Sequence, residues 1–298
     1  MDIKEQKRLR KFRNNIFYFI IAIVLLLYAG LMIYSLSWGF LNTFKTKAEF
    51  RLNILGFPEK WTFENYQTAS TNLYIKIEHG AGFRTVRLAE MFFNSILYAM
   101  GCAFLTTTCQ CITAYAVKEF PCKFSSILYG IVIATMLIPI VGSDASFLNV
   151  LQKLNLYDTI FGAWFMKSYF IGMYFLVFHA TFVKLPNSYA EAAMIDGASN
   201  MRVLLTIVLP LIKGMFFTIF LLTFIGYWND YQVPLLYLPS MPTIAYGVYD
   251  FSNSPQTHLS SIPMKLTGCM LMLLPILFIF LIFNKRLMKG MSVGGLKE

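Results

Sequence analysis

Charge is what this sequence has least of. Of 298 residues only 25 are Lys or Arg and 15 are Asp or Glu, 13% in all, while 57% are hydrophobic. Soluble domains carry about 25% charged residues, so this composition speaks against a water-facing globular protein and for a chain that crosses a membrane several times. Histidine is scarce as well: His79, His179 and His258 lie far apart, without the spacing of a metal site. A serine elbow, a pair of catalytic acids and a nucleotide-binding loop are all lacking. The nearest string to such a loop, GMSVGGLK, places leucine between glycine and lysine and has no Ser or Thr after the lysine. No catalytic residue, metal ligand or resident cofactor is expected, and the chain is read as no enzyme.

Cysteine excludes another class. Cys102, Cys109, Cys111 and Cys269 fall in apolar windows and Cys122 in a short polar connection, which leaves no pair placed for an external disulfide framework. Cys109 and Cys111 would project about 200° apart on a helix, too far to share a metal, and small packing roles are expected of them.

What is present is a series of charge-free windows at 14–44, 91–117, 124–143, 168–183, 214–229 and 266–284. A span needs about 20 mostly apolar residues. The two shortest windows are flanked by Lys167 and Lys184 and by Lys213 and Asp230, each 17 steps apart, which is about 26 Å of helix. With lysines reaching to the interfaces, six transmembrane helices are expected in an all-α membrane protein.

The basic run KEQKRLRKFR sets the N-terminus on the cytoplasmic side, and six crossings return the C-terminus there. Inner segments then hold 15 basic and 6 acidic residues and outer segments 10 and 9. The net +10 charge is thereby a sided membrane signal rather than a nucleic-acid signature. The first apolar stretch is too long for a cleaved leader and lacks a clear small-x-small site, so a retained helix is expected.

The organisation that follows is a basic tail at 1–13, a first transmembrane helix at 14–40, an extracellular segment at 41–90, and a five-helix core at 91–284. A cytoplasmic loop at 184–212 interrupts the core, and a tail at 285–298 follows it. The third helix is expected at about 126–140, the fourth at about 167–183, the fifth at about 214–235 and the last at about 264–283, with a kink at Pro275. Segment 41–90, with Pro58 in LGFPEKWTFENYQTA, reads as surface structure. Ala99 and Ala103 give one small-xxx-small spacing suited to close helix contact.

The loop 184–212 carries the sharpest pattern. Ser188 with Glu191 three residues on fits a capping box, so a helix should begin there. Gly197 is a natural C′ residue, and Ser199 can cap a second helix through Thr206 and Ile207 before Pro210 turns the chain back to the membrane. Alanines at 190, 192, 193 and 198 keep the bend slim, while Glu191, Asp196 and Arg202 give it polar edges. Such a protrusion is shaped to enter a groove on another protein, or to rest on lipid headgroups.

Glu191-Ala192-Ala193, Asp196, Gly197, Ile207, Leu209 and Pro210 together resemble the EAA loop of ABC importer permeases. FPEKWTFENYQTA, FIGYWNDYQVPLLYL and KGMSVGGLKE resemble the outer segment, fifth helix and tail of the carbohydrate-type permeases, most like the smaller membrane subunit of maltose-type systems. The resemblance implies a type I ABC importer permease fold in a multi-pass protein of the bacterial cell membrane, among membrane lipids. It implies partners: a second homologous permease, two ABC ATPase subunits that bind ATP and Mg, and an extracellular solute-binding lipoprotein or periplasmic protein. The cargo implied is an oligosaccharide or related sugar, and no nucleic acid.

By the same resemblance the bend is the ATPase-coupling element, with Glu191, Ala192, Ala193, Asp196, Gly197, Arg202, Ile207, Leu209 and Pro210. Gly290, Ser292, Gly294, Gly295 and Lys297 become tail contacts with the ATPases, and residues 238–262 the loop that probes the solute-binding protein. Two departures stand out. The stretch after Pro139 lacks a second proline, and the chain ends in Glu298 rather than glycine.

Tyr227-Trp228-Asn229-Asp230 mixes flat rings with hydrogen-bonding groups, suited either to a translocation pathway or to an interfacial aromatic belt. Alternatives are a permease for another solute, such as glycerol phosphate or a peptide, an ion-driven secondary transporter, and a structural membrane protein. The second expects ionisable residues at midplane, where the windows offer only His179.

Overall fold

The structure is a computed structural model that describes residues 3–80, 82–121, 123–137, 142–186, 188–253 and 261–292. It divides into two compact units, Met1–Asn72 with Ser254–Leu271, and Leu73–Asn253 with Met272–Glu298.

The first unit is built on α1 (Ile3–Asn42), whose apolar stretch Asn14–Asn42 is long enough to cross a membrane and is exposed as far as Ser37. Gly39 lets α1 pass close to Met270 at the start of α14 (Ile262–Ser292), since a Cβ there would sit 3.1 Å from the methionine methyl. Beyond α1 come α2 (Lys47–Leu52) and α3 (Glu64–Asn72). Phe44 is the centre of this segment, with the rings of Phe40, Trp61, Phe63 and Tyr66 at 5.1–5.6 Å. Asn65 Nδ2 donates to the carbonyls of Thr43 and Lys45. The expected surface structure at 41–90 is thus an ordered set of short elements.

The second unit opens with a hairpin the sequence reading did not anticipate: β1 (Tyr74–His79) pairs antiparallel with β2 (Gly82–Arg87), Tyr74 opposite Arg87 and His79 opposite Gly82. Gly80, at φ 61°, takes the left-handed conformation such tight turns require. Ile75, Ile77 and Val86 are its buried residues.

Its central element is α4 (Leu88–Glu119), with Glu90 in its first turn and Lys118 in its last, each matched to the helix dipole. Met91, Tyr98, Ala99, Cys102, Ala103, Thr106, Gln110 and Cys111 form its buried stripe, and the small residues Ala99 and Ala103 are fully buried where neighbouring helices close in. Against α4 pack α5 (Lys123–Leu137), α7 (Ile160–Lys167), α8 (Met173–Lys184) and α11 (Leu209–Trp228). The helix α6 (Asp144–Lys153) precedes α7, and α12 (Gln232–Tyr237) and α13 (Ile244–Ser252) follow α11. Ser95 Oγ accepts from the Ile244 amide at 2.7 Å and Asn94 donates to the Pro242 carbonyl, pinning the start of α13 to α4.

Among the described residues, four helical stretches are long and apolar enough to cross a membrane: Asn14–Asn42, Leu88–Glu119, Asn200–Trp228 and Ile262–Asn284. The other two windows hold shorter apolar helices, Ile127–Met136 and Met173–Lys184. The fourth helix begins at Met173 rather than near Lys167, because residues 168–172 are not helical. Its exposed first turn is completed from α4, where Gln110 Oε1 accepts from the Phe175 amide at 2.9 Å. The same amide also donates to Gly172 O at 3.1 Å, so Gln110→Leu is expected to remove one of its two bonds and to lower stability by about 0.5–1.5 kcal/mol, measured by thermal unfolding of the solubilised chain. The fifth helix ends at Trp228 instead of near 235, and residues 232–237 form the separate α12. The last runs to Ser292, beyond the expected 283, with Pro275 inside it. Of the third helix, residues 138–140 lie outside the described residues.

Candidate functional site

The bend in 184–212 is made of α9 (Ser188–Ile195), a turn at Gly197, and α10 (Asn200–Val203). Ser188 is the first residue of α9 rather than its cap, so the helix begins one residue earlier than the expected capping box places it; position 187 is outside the described residues. The end of α9 is as expected. Ala198 N–H donates to Ala193 O at 2.9 Å and Gly197 N–H to Met194 O at 3.0 Å, the paired bonds of a Schellman turn, with Gly197 as its left-handed residue at φ 82°. Ser199 then caps α10, its Oγ accepting from the Arg202 amide at 3.4 Å.

One face of this elbow is packed. Ala190, Val203, Leu204 and Val208 join Tyr115 of α4 and Phe178 and Phe182 of α8 in a single apolar cluster, with Ala193, Met194 and Ala198 against it. Packing of these small residues therefore fixes the angle between the two short helices. The other face is open: Glu191, Ala192, Asp196, Gly197 and Arg202 are exposed, while Ile207 and Leu209 are half-buried and Pro210 is exposed. Ile195 is 87% exposed, and Met201 also stands out. Sequence reasoning missed these two, although an isoleucine directly before the Asp-Gly turn, where packing cannot reach it, was available as a signal.

The chain does not turn back at Pro210. Residues 200–228 are continuously helical, passing through a π-helical turn at Leu204–Val208 in which the Leu209 amide donates to the Leu204 carbonyl. Proline has no N–H to give, and widening the helix by one residue ahead of Pro210 lets it continue without a break. The second arm of the elbow, α10, is thereby part of the same helix that forms the fifth apolar stretch.

A second group lies at the far end of that helix. Asp230 accepts from Tyr98 Oη at 2.8 Å and from the Val233 amide at 3.2 Å, and Lys167 Nζ is 3.5 Å from its Oδ2. Lys167 also lies over the Tyr227 ring at 5.7 Å. Tyr227 Oη bonds Thr106 Oγ1 at 2.9 Å, and Thr106 donates to the Lys167 carbonyl. The surrounding side chains, Cys102, Leu151, Ala163, Met166, Val233 and Tyr237, are apolar or aromatic. Trp228 is 2% exposed and donates from Nε1 to Met272 O at 3.1 Å, so it packs α11 on α14 and faces no open surface. Asn229 alone of the four is exposed, its amide donating to Ile225 O.

The remaining candidates fall elsewhere. His179 stacks on Phe175 and leans on Tyr129 at 5.1 Å, a packing position. Gly290 and Ser292 lie on the last turns of α14, and Gly294, Gly295 and Lys297 lie outside the described residues. Of loop 238–262, residues 254–260 lie outside them too, and α13 occupies the middle.

Several long apolar helices among the described residues mark a multi-pass membrane protein, and the bent two-helix elbow is its distinguishing feature. Residues 112–293 match the family described as "Binding-protein-dependent transport system inner membrane component", and since that is more than half of the sequence, the chain belongs to this family and to the inner membrane. It is similar to the maltodextrin transport system permease protein MdxG of Bacillus subtilis, 25% identical with all of both chains covered. It is also similar to the sn-glycerol-3-phosphate transport system permease protein UgpE of Pectobacterium atrosepticum, 28% identical over 72% of this chain and 76% of that one. Its fold matches a chain in the crystal structure of a bacterial ABC transporter involved in the import of the acidic polysaccharide alginate, with a TM-score of 0.71, 19% identity, and 91% and 96% of the two chains covered.

Proposed function

We propose that this chain is a transmembrane subunit of an ATP-binding-cassette importer for an oligosaccharide or related sugar, and that the elbow receives the stroke of a separate ATPase. The single observation that carries the reading is the elbow itself. A Schellman turn and the packing of Ala190, Ala193 and Ala198 hold it rigid, while an acid edge and the exposed Ile195 are turned outward.

In this reading six helices cross the membrane, with 1–13 and 285–298 cytoplasmic, 14–40 and the core 91–284 spanning, and 41–90 outside. The 12-residue α8 and residues 168–172 then complete the fourth crossing together. A second permease, two ATPases that hold ATP and Mg, and a solute-binding protein complete the assembly. Closure of the ATPases moves the docked elbow, the helices tilt with it, and the pathway changes the side to which it opens. The saccharide cargoes named for MdxG and the alginate transporter support a sugar. UgpE, at 28% identity, favours glycerol phosphate as the second reading. The ligand of the co-purifying solute-binding protein decides between them.

The coupling role is tested in the reconstituted complex. Glu191→Lys reverses the charge of the exposed edge without touching the packed face. Gly197→Val forces a branched side chain into the left-handed region at a cost of about 1–2 kcal/mol or more, although the space around it is open. Both variants should insert normally and lose most of the solute-stimulated ATP hydrolysis, whereas Gly197→Asn should retain it. Normal stimulation by Glu191→Lys and Gly197→Val would reject the role.

A further inference from the structure

We infer that the loop from Leu52 to Phe57 is a membrane-interface anchor, a rigid apolar surface seated in the lipid headgroup layer at the C-terminal end of the α1 span. The loop is unusual in what it exposes: Leu52 is 91% exposed, Leu55 72% and Phe57 73%, with Ile54 exposed between them. A flexible loop in water would fold such residues inward, and this one is built so that it cannot. Lys45 is fully buried and donates from Nζ to the carbonyls of Asn53 and Gly56, at 2.7 and 2.6 Å. Burial of that ammonium lowers its pKa, opposed by the charge of Glu49. Asn53 closes the turn from both sides, its Oδ1 accepting from the Gly56 amide and its Nδ2 donating to the Phe57 carbonyl. The Glu59 amide is held by Glu49 at 2.6 Å. The carbonyls of Asn53, Gly56 and Phe57 and the amides of Gly56 and Glu59 are thus satisfied internally while the apolar side chains are left outside, an arrangement suited to a segment that meets lipid rather than water.

Depth in the membrane identifies what covers it. Trp38 Nε1 donates to the Ile54 carbonyl at 2.9 Å, fixing the loop to one level of α1. That level is 24 residues beyond Asn14, where the basic N-terminal run has just ended, or about 36 Å along the helix. A hydrocarbon core of about 30 Å within a bilayer of about 40–45 Å puts Trp38, and Ile54 with it, in the interfacial layer where tryptophan is enriched. Leu36 and Phe40, close to Trp38 on α1, are exposed as well. Arg51 and Lys60 flank it as exposed cations, placed for lipid phosphates.

The test places a tryptophan in the loop, as Phe57→Trp and separately as Leu55→Trp, in the full chain with its co-purifying subunits in nanodiscs. Emission added over the parent protein is compared between ordinary lipids and lipids brominated near the top of the acyl chain. The added emission should fall about twofold in brominated lipid at both positions, and shallow bromines should quench better than deep ones. Equal emission in the two lipids at both positions would overturn the inference. So would quenching that is absent until the solute-binding protein is removed, since the surface would then belong to that protein.

Discussion

Gly162→Ala is expected to cost the fold several kcal/mol, the largest loss from any single methyl group considered. A Cβ at Gly162 would stand 2.0 Å from the carbonyl oxygen of Leu156 and 2.9 Å from its carbon. Both are backbone atoms, so no rotamer change relieves the contact. The 154–158 turn has little room to yield: Asn155 and Asp158 are held at φ 55° and 56°, the Leu156 amide donates to Leu151 O at 2.8 Å, and Thr159 Oγ1 donates to Leu156 O while accepting from the Gly162 amide. The helix α7 must therefore move, and with it Ala163 and Met166, which are buried against Tyr98 and Cys102. Overpacking of this kind costs about 1–3 kcal/mol where neighbours can shift, and more where they cannot.

Thermal unfolding of the purified chain, followed by size exclusion, reads the loss. Gly101 is the control. Its Cβ would stand 2.1 Å from the indole of Trp164, a side chain, so Gly101→Ala should be rescued in part by Trp164→Ala. No substitution at position 156 should rescue Gly162→Ala. A Gly162→Ala protein as stable as the parent, or one restored by Leu156→Ala, would contradict the assignment.

Asp230→Ala should come next in severity, at about 3–5 kcal/mol. The carboxylate serves three donors from different elements, Tyr98 of α4, Lys167 at the end of α7 and the first turn of α12, and its side chain is 17% exposed against 15% for Lys167. Removing it leaves a largely buried ammonium and a tyrosine hydroxyl without their acceptor, the situation in which breaking a buried pair is most costly. The same physics predicts that Lys167→Met with Asp230→Leu together restores much of the loss, because the desolvation of both charges disappears with them. Tyr98→Phe should cost about 1.5–3 kcal/mol, as one hydrogen bond to a charged group. Melting temperatures of the parent, Lys167→Met, Asp230→Leu and the double variant close the cycle. Additive losses for Lys167 and Asp230 would mean that the pair does not act as one.

These two sites show where sequence reasoning stops. The elbow was legible because its determinants are local: Gly197 closes its own Schellman turn within five residues, and Ser199 caps its own helix. The apolar windows at 14–44, 91–117 and 266–284 were legible from charge alone. The Lys167–Asp230 pair was not, since its partners are 63 positions apart and only the packing of α7 against α4 brings them together. The break at 168–172 was hidden for the same reason, as the amide freed at Phe175 is taken up by Gln110 on another helix. Pro210 misled because a proline normally ends a local helical pattern, and the π-helical turn that carries the backbone past it has no signature in composition. The hairpin did have one: Ile75 and Ile77 alternate with polar residues ahead of two glycines, a period-two signal inside a segment read only as surface.

The unbroken run from Asn200 to Trp228 turns the far ends of the second unit into the two arms of one lever about 42 Å long. A swing of about 10° imposed at Ser199 would carry the opposite tip roughly 7 Å, well beyond the reach of a hydrogen bond. Asp230 sits just past that tip, so the residue that joins α4, α7 and α12 is also among those most displaced by a push at the other end.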